Sequence, residues 1–184
     1  MNIAISNIVA SNQGYLKIVP EGFVRNMSLL KNLTVSFAVL ERLEKYAFGN
    51  STSLEILKLS KNQIEFLDAY AISNLPSLRE INLEENRIQT IPLVAFSNLT
   101  KLNYVRLNNN NITKIEDRAF ASMNHVFEMD LSENYICDIN NLTFFGLSKL
   151  KVIDLSFNRI TSLASSVFSE LWDIEVSNPF IELN

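Results

Sequence analysis

The chain has one cysteine, one histidine and one tryptophan among 184 residues, with only four glycines and four prolines. A single cysteine cannot close a disulfide within the chain, and one cysteine with one histidine cannot assemble a Cys/His zinc cage or a Cys-paired cluster. The same scarcity removes the usual pairings of nucleophile and base, so neither a metal nor a cofactor nor a catalytic residue is expected. No stretch approaches the roughly 18–20 uninterrupted apolar residues of a membrane span, and direct membrane insertion is not expected. No Ser/Gly/Pro tract marks a long linker. The 16 Lys and Arg stand against 20 Asp and Glu, a formal net charge of −4. Without a basic cluster there is no counterion release to drive nucleic-acid binding, so DNA and RNA are not expected partners.

Leucine and asparagine, by contrast, are abundant, at 25 and 23 residues, and a bias toward two residue types signals a repeat. Asn62, Asn86, Asn110, Asn134 and Asn158 recur at a period of 24. Each follows the same frame, L-x-x-L-x-L-x-x-N-x-I, as in Leu54, Leu57, Leu59, Asn62 and Ile64 or Leu102, Val105, Leu107, Asn110 and Ile112. Counting from the first Leu, position nineteen holds Phe96, Phe120, Phe144 and Phe168, with Ile72 substituting once. Leu75, Leu99, Met123, Leu147 and Leu171 close the units. Upstream, Leu30, Leu33, Val35, Leu40, Leu43 and Phe48 fit a further repeat with Ala38 at the Asn position.

The expected organisation is a single domain over residues 1–184: a degenerate first repeat in 1–29, six 24-residue repeats in 30–173 and an incomplete terminal strand in 174–184. In the first unit Leu16, Val19, Val24 and Met27 keep phase, while the strand can be centred on Val9 or on Ile8. At the other end, Ile174, Val176 and Asn178-Pro179-Phe180 begin a further strand.

Alternation of Leu-x-Leu has the period of two that sends side chains to opposite faces of a strand. One 24-residue unit cannot enclose its apolar face, but stacked units bury a continuous core and pair their strands in parallel. The expected fold is therefore an α/β solenoid, a right-handed arc with a parallel sheet on its concave face. Where the chain leaves each strand, amide and carbonyl groups turn inward and need partners. An Asn side chain supplies both donor and acceptor, so Asn62, Asn86, Asn110, Asn134 and Asn158 are expected to form a ladder that Ala38 ends. The Phe residues at position nineteen should stack in a second row beneath the convex wall.

These motifs resemble the extracellular leucine-rich repeat family of the 24-residue type, over Leu30 to Leu171. Toll and Toll-like receptor ectodomains, Slit-type guidance molecules, small leucine-rich proteoglycans and insect secreted immune proteins share the pattern. The resemblance implies an extracellular module that binds a protein ligand or co-receptor through the concave sheet, with innate immunity as the leading context. An adhesion, structural or guidance-type module that self-associates as a homo-oligomer is the alternative. The family commonly carries cysteine-rich caps. Neither is visible in this sequence, nor is a signal peptide after Met1, and a fragment or an incomplete gene model is expected, with an intracellular protein as the alternative.

Six N-x-S/T sequons follow from this setting, at Asn26, Asn32, Asn50, Asn98, Asn111 and Asn141. Asn26, Asn50 and Asn98 share position twenty-one, away from the strands, whereas Asn32 lies on the presumed concave face. That face is read from positions two, three, five, seven, eight and ten, and it mixes acids with bases. Its aromatics gather toward the C-terminal half. Interfaces favour aromatic and Arg anchors, so Tyr104, Arg106, Phe127, Glu128, Asp130, Tyr135, Phe157 and Arg159 are the candidate partner-binding residues. The carboxylate pairs Glu84-Glu85 and Glu128-Asp130 could suggest a glycosidase, which needs two carboxyls about 5–9 Å apart. On an open sheet they read as a solvated charged face. Cys137, past Ile136, is read as an unpaired, partly buried thiol in preference to an intermolecular link. His125 is read as a turn residue, and Trp172 as a cover for the end of the core.

Overall fold

The structure is a computed structural model that describes residues 6–11, 14–49, 51–163, 165–169, 171 and 174–177. Eight strands stand side by side in chain order in one parallel sheet: Asn7–Ser11, Asn32–Ser36, Ile56–Lys58, Glu80–Asn82, Tyr104–Arg106, Glu128–Asp130, Val152–Asp154 and Glu175–Ser177. A parallel pair requires a crossover of a dozen or more residues, and the rest of each repeat supplies it. The pairing keeps the sequence period: Leu33, Leu57, Ile81, Val105, Met129 and Ile153 lie opposite one another in turn. The result is a parallel-sheet solenoid of about six turns, as the frame implies.

The register departs from 24 at both ends. Ile8 pairs with Leu33, one residue more than the common period, while Val176 pairs with Ile153, one residue less. The first unit thus reads on Ile8, which packs against the core, whereas Val9 is 78% exposed. Asn178-Pro179-Phe180 and Trp172 lie outside the described residues.

Opposite the main sheet, the wall is made of turns, two-residue strands such as Arg42–Leu43 and Phe66–Leu67, and a short 3₁₀ turn at Ser165–Phe168; no α-helix occurs among the described residues. Left-handed residues account for this. Tyr46, Tyr70 and Arg118 at position seventeen have φ of 54°, 62° and 62°, and Asn74, Asn98 and Gly146 at position twenty-one have 56°, 55° and 90°. A left-handed residue interrupts a right-handed helix within a turn. Gly146 is also obligatory sterically, since a Cβ there would lie 2.5 Å from the Ala121 carbonyl oxygen.

Two rows of side chains fill the interior. Leu54, Leu57, Leu59 and their equivalents are fully buried behind the sheet. Phe48, Phe96 and Phe120 are buried beneath the opposite wall. Phe96 and Phe120 stack with centroids 6.5 Å apart, and Phe144 and Phe168 with centroids 5.6 Å apart.

The Asn ladder closes the top of the core. In Asn110, Nδ2 donates to the carbonyls of Leu83 (2.9 Å), Leu107 (3.1 Å) and Asn108 (3.3 Å), and Oδ1 accepts the Ile88 amide (3.0 Å). Asn86, Asn134 and Asn158 repeat this pattern on their own neighbours. At the N-terminal end Asn62 changes partner and accepts the amide of Ala38 at 3.1 Å. Ala38 therefore ends the row of side chains while its own backbone joins the last rung.

Candidate functional site

Side chains that alternate with the core leucines form rows across the exposed side of the sheet. In register, Tyr104 stands between Glu80 and Glu128, and Arg106 between Asn82 and Asp130. Adjacent strands are only about 4.8 Å apart, so these side chains are immediate neighbours. Toward the N-terminus the charges neutralise one another from repeat to repeat: Lys31 with Glu55 (3.0 Å), Lys58 with Glu80 (3.1 Å) and Lys61 with Glu85 (3.1 Å). Such exposed pairs contribute little stability, and Arg79 and Arg87, both exposed, have no ion pair among the described residues. Arg106 is exposed and has no ion pair among the described residues. Tyr104 beside it is 42% exposed.

Asp130 has a local task. Its Oδ1 accepts the Ser132 amide (2.9 Å) and hydroxyl (2.6 Å), which fixes the turn that follows the strand. Asp154 and Asn82 cap the next residues in the same way, through Ser156 and Glu84. The carboxylate of Asp130 is thereby held in one orientation beside Arg106.

Beyond the strand ends lies a second group. Every residue at position eight is left-handed: Phe37, Lys61, Glu85, Asn109, Glu133 and Phe157 have φ between 51° and 58°. For L-residues this backbone costs about 1–2 kcal/mol, yet glycine is used at none of the six. Phe37 and Phe157 are also 61% and 68% exposed. The conformation recurs in all six repeats and so belongs to the turn that ends each strand; of the two rings it holds outward, Phe37 has Lys61 Nζ 5.1 Å over it. Next to Phe157, the Arg159 guanidinium lies 4.5 Å over the Tyr135 ring. Asn109, Asn110, Asn111, Glu133, Asn134, Tyr135 and Phe157 line a hollow of about 500 Å³ along this margin.

The eight candidate residues thus divide. Tyr104, Arg106, Glu128 and Asp130 are together on the sheet; Tyr135, Phe157 and Arg159 are together on the margin after the strands. Phe127 stands apart at position two, before its strand, with Lys151 Nζ 5.9 Å over its ring. Phe37, Asn109 and Glu133 complete the position-eight row, and sequence reasoning did not single them out. Phe37 shares its place in the repeat with Phe157, which is the signal that could have found it.

The remaining candidates are occupied otherwise. Glu85 is tied to Lys61 at 3.1 Å and Asp130 to Ser132 at 2.6 Å. His125 Nδ1 lies 2.8 Å from Asn124 Oδ1 in an exposed turn. Cys137 is a correction: it is exposed, not partly buried, because position twelve points outward beyond Ile136. A flank hollow of about 670 Å³, lined by Lys114, Glu116, Asp117 and Asp138 among others, is internally satisfied through Asn140 to Asp117 (2.8 Å) and Lys114 to Glu116 (3.8 Å). Of the sequons, Asn26, Asn98, Asn111 and Asn141 are exposed, Asn32 is half-buried and donates to Asn7 Oδ1, and Asn50 lies outside the described residues.

Sequence and structure comparisons agree with the fold. The family described as "leucine rich repeat" matches residues 28–88, 76–136 and 125–176. No curated protein matches significantly. Among solved structures, the TLR13–ssRNA13 complex aligns with a TM-score of 0.78 at 25% identity, over 90% of this chain and 23% of that one. The Drosophila Toll–Spatzle complex, a hub of development and innate immunity, aligns with a TM-score of 0.82 at 18% identity, over 97% of this chain and 23% of that one. Its glycosylated form gives 0.83 at 18% identity, over 97% and 24%. The chain spans about a quarter of the length of these solved chains.

Proposed function

The chain belongs to the leucine-rich repeat family, and from that premise we propose that it is a protein-binding recognition module of an extracellular protein, an innate immune receptor or a secreted immune factor. It acts by binding and not by catalysis. The observation that carries the reading is the unpaired Arg106 beside exposed Tyr104 on the sheet, with exposed Phe157 on the adjoining margin. Aromatic and Arg anchors within a polar rim are the usual energetic centre of a protein interface. Glu128 and Asp130 supply complementary charge, and Tyr135 and Arg159 extend the surface; Phe127 contributes from the opposite margin.

A protein ligand or co-receptor fits this surface better than RNA. One structural relative is a complex with ssRNA13, so the fold itself does not exclude nucleic acid. Here the net charge is −4, and acids interleave with bases on the sheet, which opposes binding of a polyanion. Self-association in an adhesion or guidance role is the alternative reading, favoured by the exposed thiol of Cys137.

An array of secreted proteins and receptor ectodomains, probed with the glycosylated chain, tests the proposal. Tyr104→Ala and Phe157→Ala each weaken the partner so found by more than about 1 kcal/mol, or about fivefold. Unchanged affinity in both variants would sink this surface.

A further inference from the structure

The margin hollow holds a sequon beside an aromatic ring. Asn111, Tyr135 and Arg159 occupy position ten in three successive repeats, so Tyr135 stands between the other two. Arg159 lies over the ring at 4.5 Å and so covers the face turned away from Asn111. The opposite face is left on the side of the preceding repeat, where Asn111 lines the same hollow. Asn111 is exposed, lines the hollow, and its side chain has no hydrogen bond among the described residues. Glu133 and Asn109, both exposed, line the same hollow, where Asn109 Nδ2 donates to Glu133 Oε2 at 3.4 Å.

We propose that Asn111 carries an N-linked glycan whose first N-acetylglucosamine stacks on the free face of Tyr135 and fills the near end of the hollow. The inference rests on the extracellular reading above. The sequon is Asn111-Ile112-Thr113. Asn111 Nδ2 attacks the anomeric C1 of a lipid-pyrophosphate-linked oligosaccharide; the Nδ2–C1 bond forms, the C1–O bond breaks with its electron pair leaving on the pyrophosphate, and one Nδ2 proton is released. The apolar face of the pyranose then meets the ring, while Glu133 Oε1 and Asn109 Oδ1, outside their mutual bond, accept from its hydroxyl and acetamido N–H groups. Asn98 has no such seat, since its Nδ2 donates to Asn74 Oδ1 at 3.1 Å on the opposite side of the repeat. The seated glycan takes Tyr135 out of the partner surface proposed above, which is then carried by Tyr104, Arg106 and, at the far wall of the hollow, Phe157.

The test uses the full chain secreted from eukaryotic cells behind an added leader, with glycopeptide mass spectrometry at each sequon and timed endoglycosidase release from the native protein. Asn111 is expected to be occupied, and its glycan to be released about tenfold more slowly than that of Asn98. Tyr135→Ala should abolish the difference and Tyr135→Phe should keep it. Occupancy at Asn98 without occupancy at Asn111 overturns the seat alone, as does equal release from Asn111 in native protein and Tyr135→Phe compared with Asn98. No occupancy at any sequon overturns the extracellular reading and the seat with it. If Tyr135→Ala does not secrete, the native and Tyr135→Phe release rates still decide the matter.

Discussion

Replacing Phe120 with alanine will lower stability by about 3–5 kcal/mol. The ring is fully buried and stacks on Phe96 at 6.5 Å. Cost depends on how far the surroundings can collapse into the space vacated. Here they cannot move far, because the repeats on both sides are fixed to each other by the main sheet and by bonds such as Arg118 amide to Leu142 carbonyl at 2.9 Å. Phe168, 8% exposed and toward the end of the row, has fewer neighbours to hold the gap open, and its alanine variant should lose less. Urea denaturation checks the pair. A cost for Phe120→Ala below about 1 kcal/mol would contradict the packed second row.

Asn110→Ala should cost about 3 kcal/mol, near the top of the range for leaving buried partners unmade. The side chain is 3% exposed and serves three carbonyls and one amide. Alanine leaves the Ile88 amide and the Leu83 carbonyl without that partner in a place water does not reach. Because these two groups belong to the preceding repeat, the loss is also a loss of coupling between units, and the unfolding transition should broaden. Asn158 makes equivalent bonds but is only half-buried, so water can replace part of them and its alanine variant should lose about 1 kcal/mol. Equal losses at the two positions, by thermal or urea denaturation, would show that burial of the ladder is not what sets its worth.

Much of this architecture is legible in the residues because each position that builds the core accepts few side chains. Leu at one, four and six, Asn at nine and Phe at nineteen are set by burial and by backbone bonding, so their period survives any choice of partner. Ile8, Val9 and Ala10 show the limit: three apolar residues in succession carry no alternation, and only the pairing with Leu33 and Val35 selects Ile8 and Ala10 as inward. The left-handed backbone at position eight is hidden for a different reason. Phe37, Lys61, Glu85, Asn109, Glu133 and Phe157 have nothing in common as residue types, and the glycine that would announce such a turn is absent. Exposure of Cys137 is hidden in the sequence because an apolar-looking residue next to Ile136 suggests burial, while the turn sends it outward.

The binding surface is legible only in outline. Position numbers order side chains along the repeat but do not say where the strand stops. Phe127 and Tyr135 therefore belong to one list in sequence and to opposite margins in space, one before the strand Glu128–Asp130 and the other after the turn that follows it. Tyr104 and Arg106 were identifiable because they alternate with buried Val105 in a strand.

The most direct test is a hydrogen-exchange footprint of the native chain with the partner found on the array. The account predicts slowed exchange in segments 103–108 and 127–135 and at 157–159, with no change at 45–49 or 93–99 on the opposite wall. Protection confined to that opposite wall, with the sheet unaffected, would contradict it.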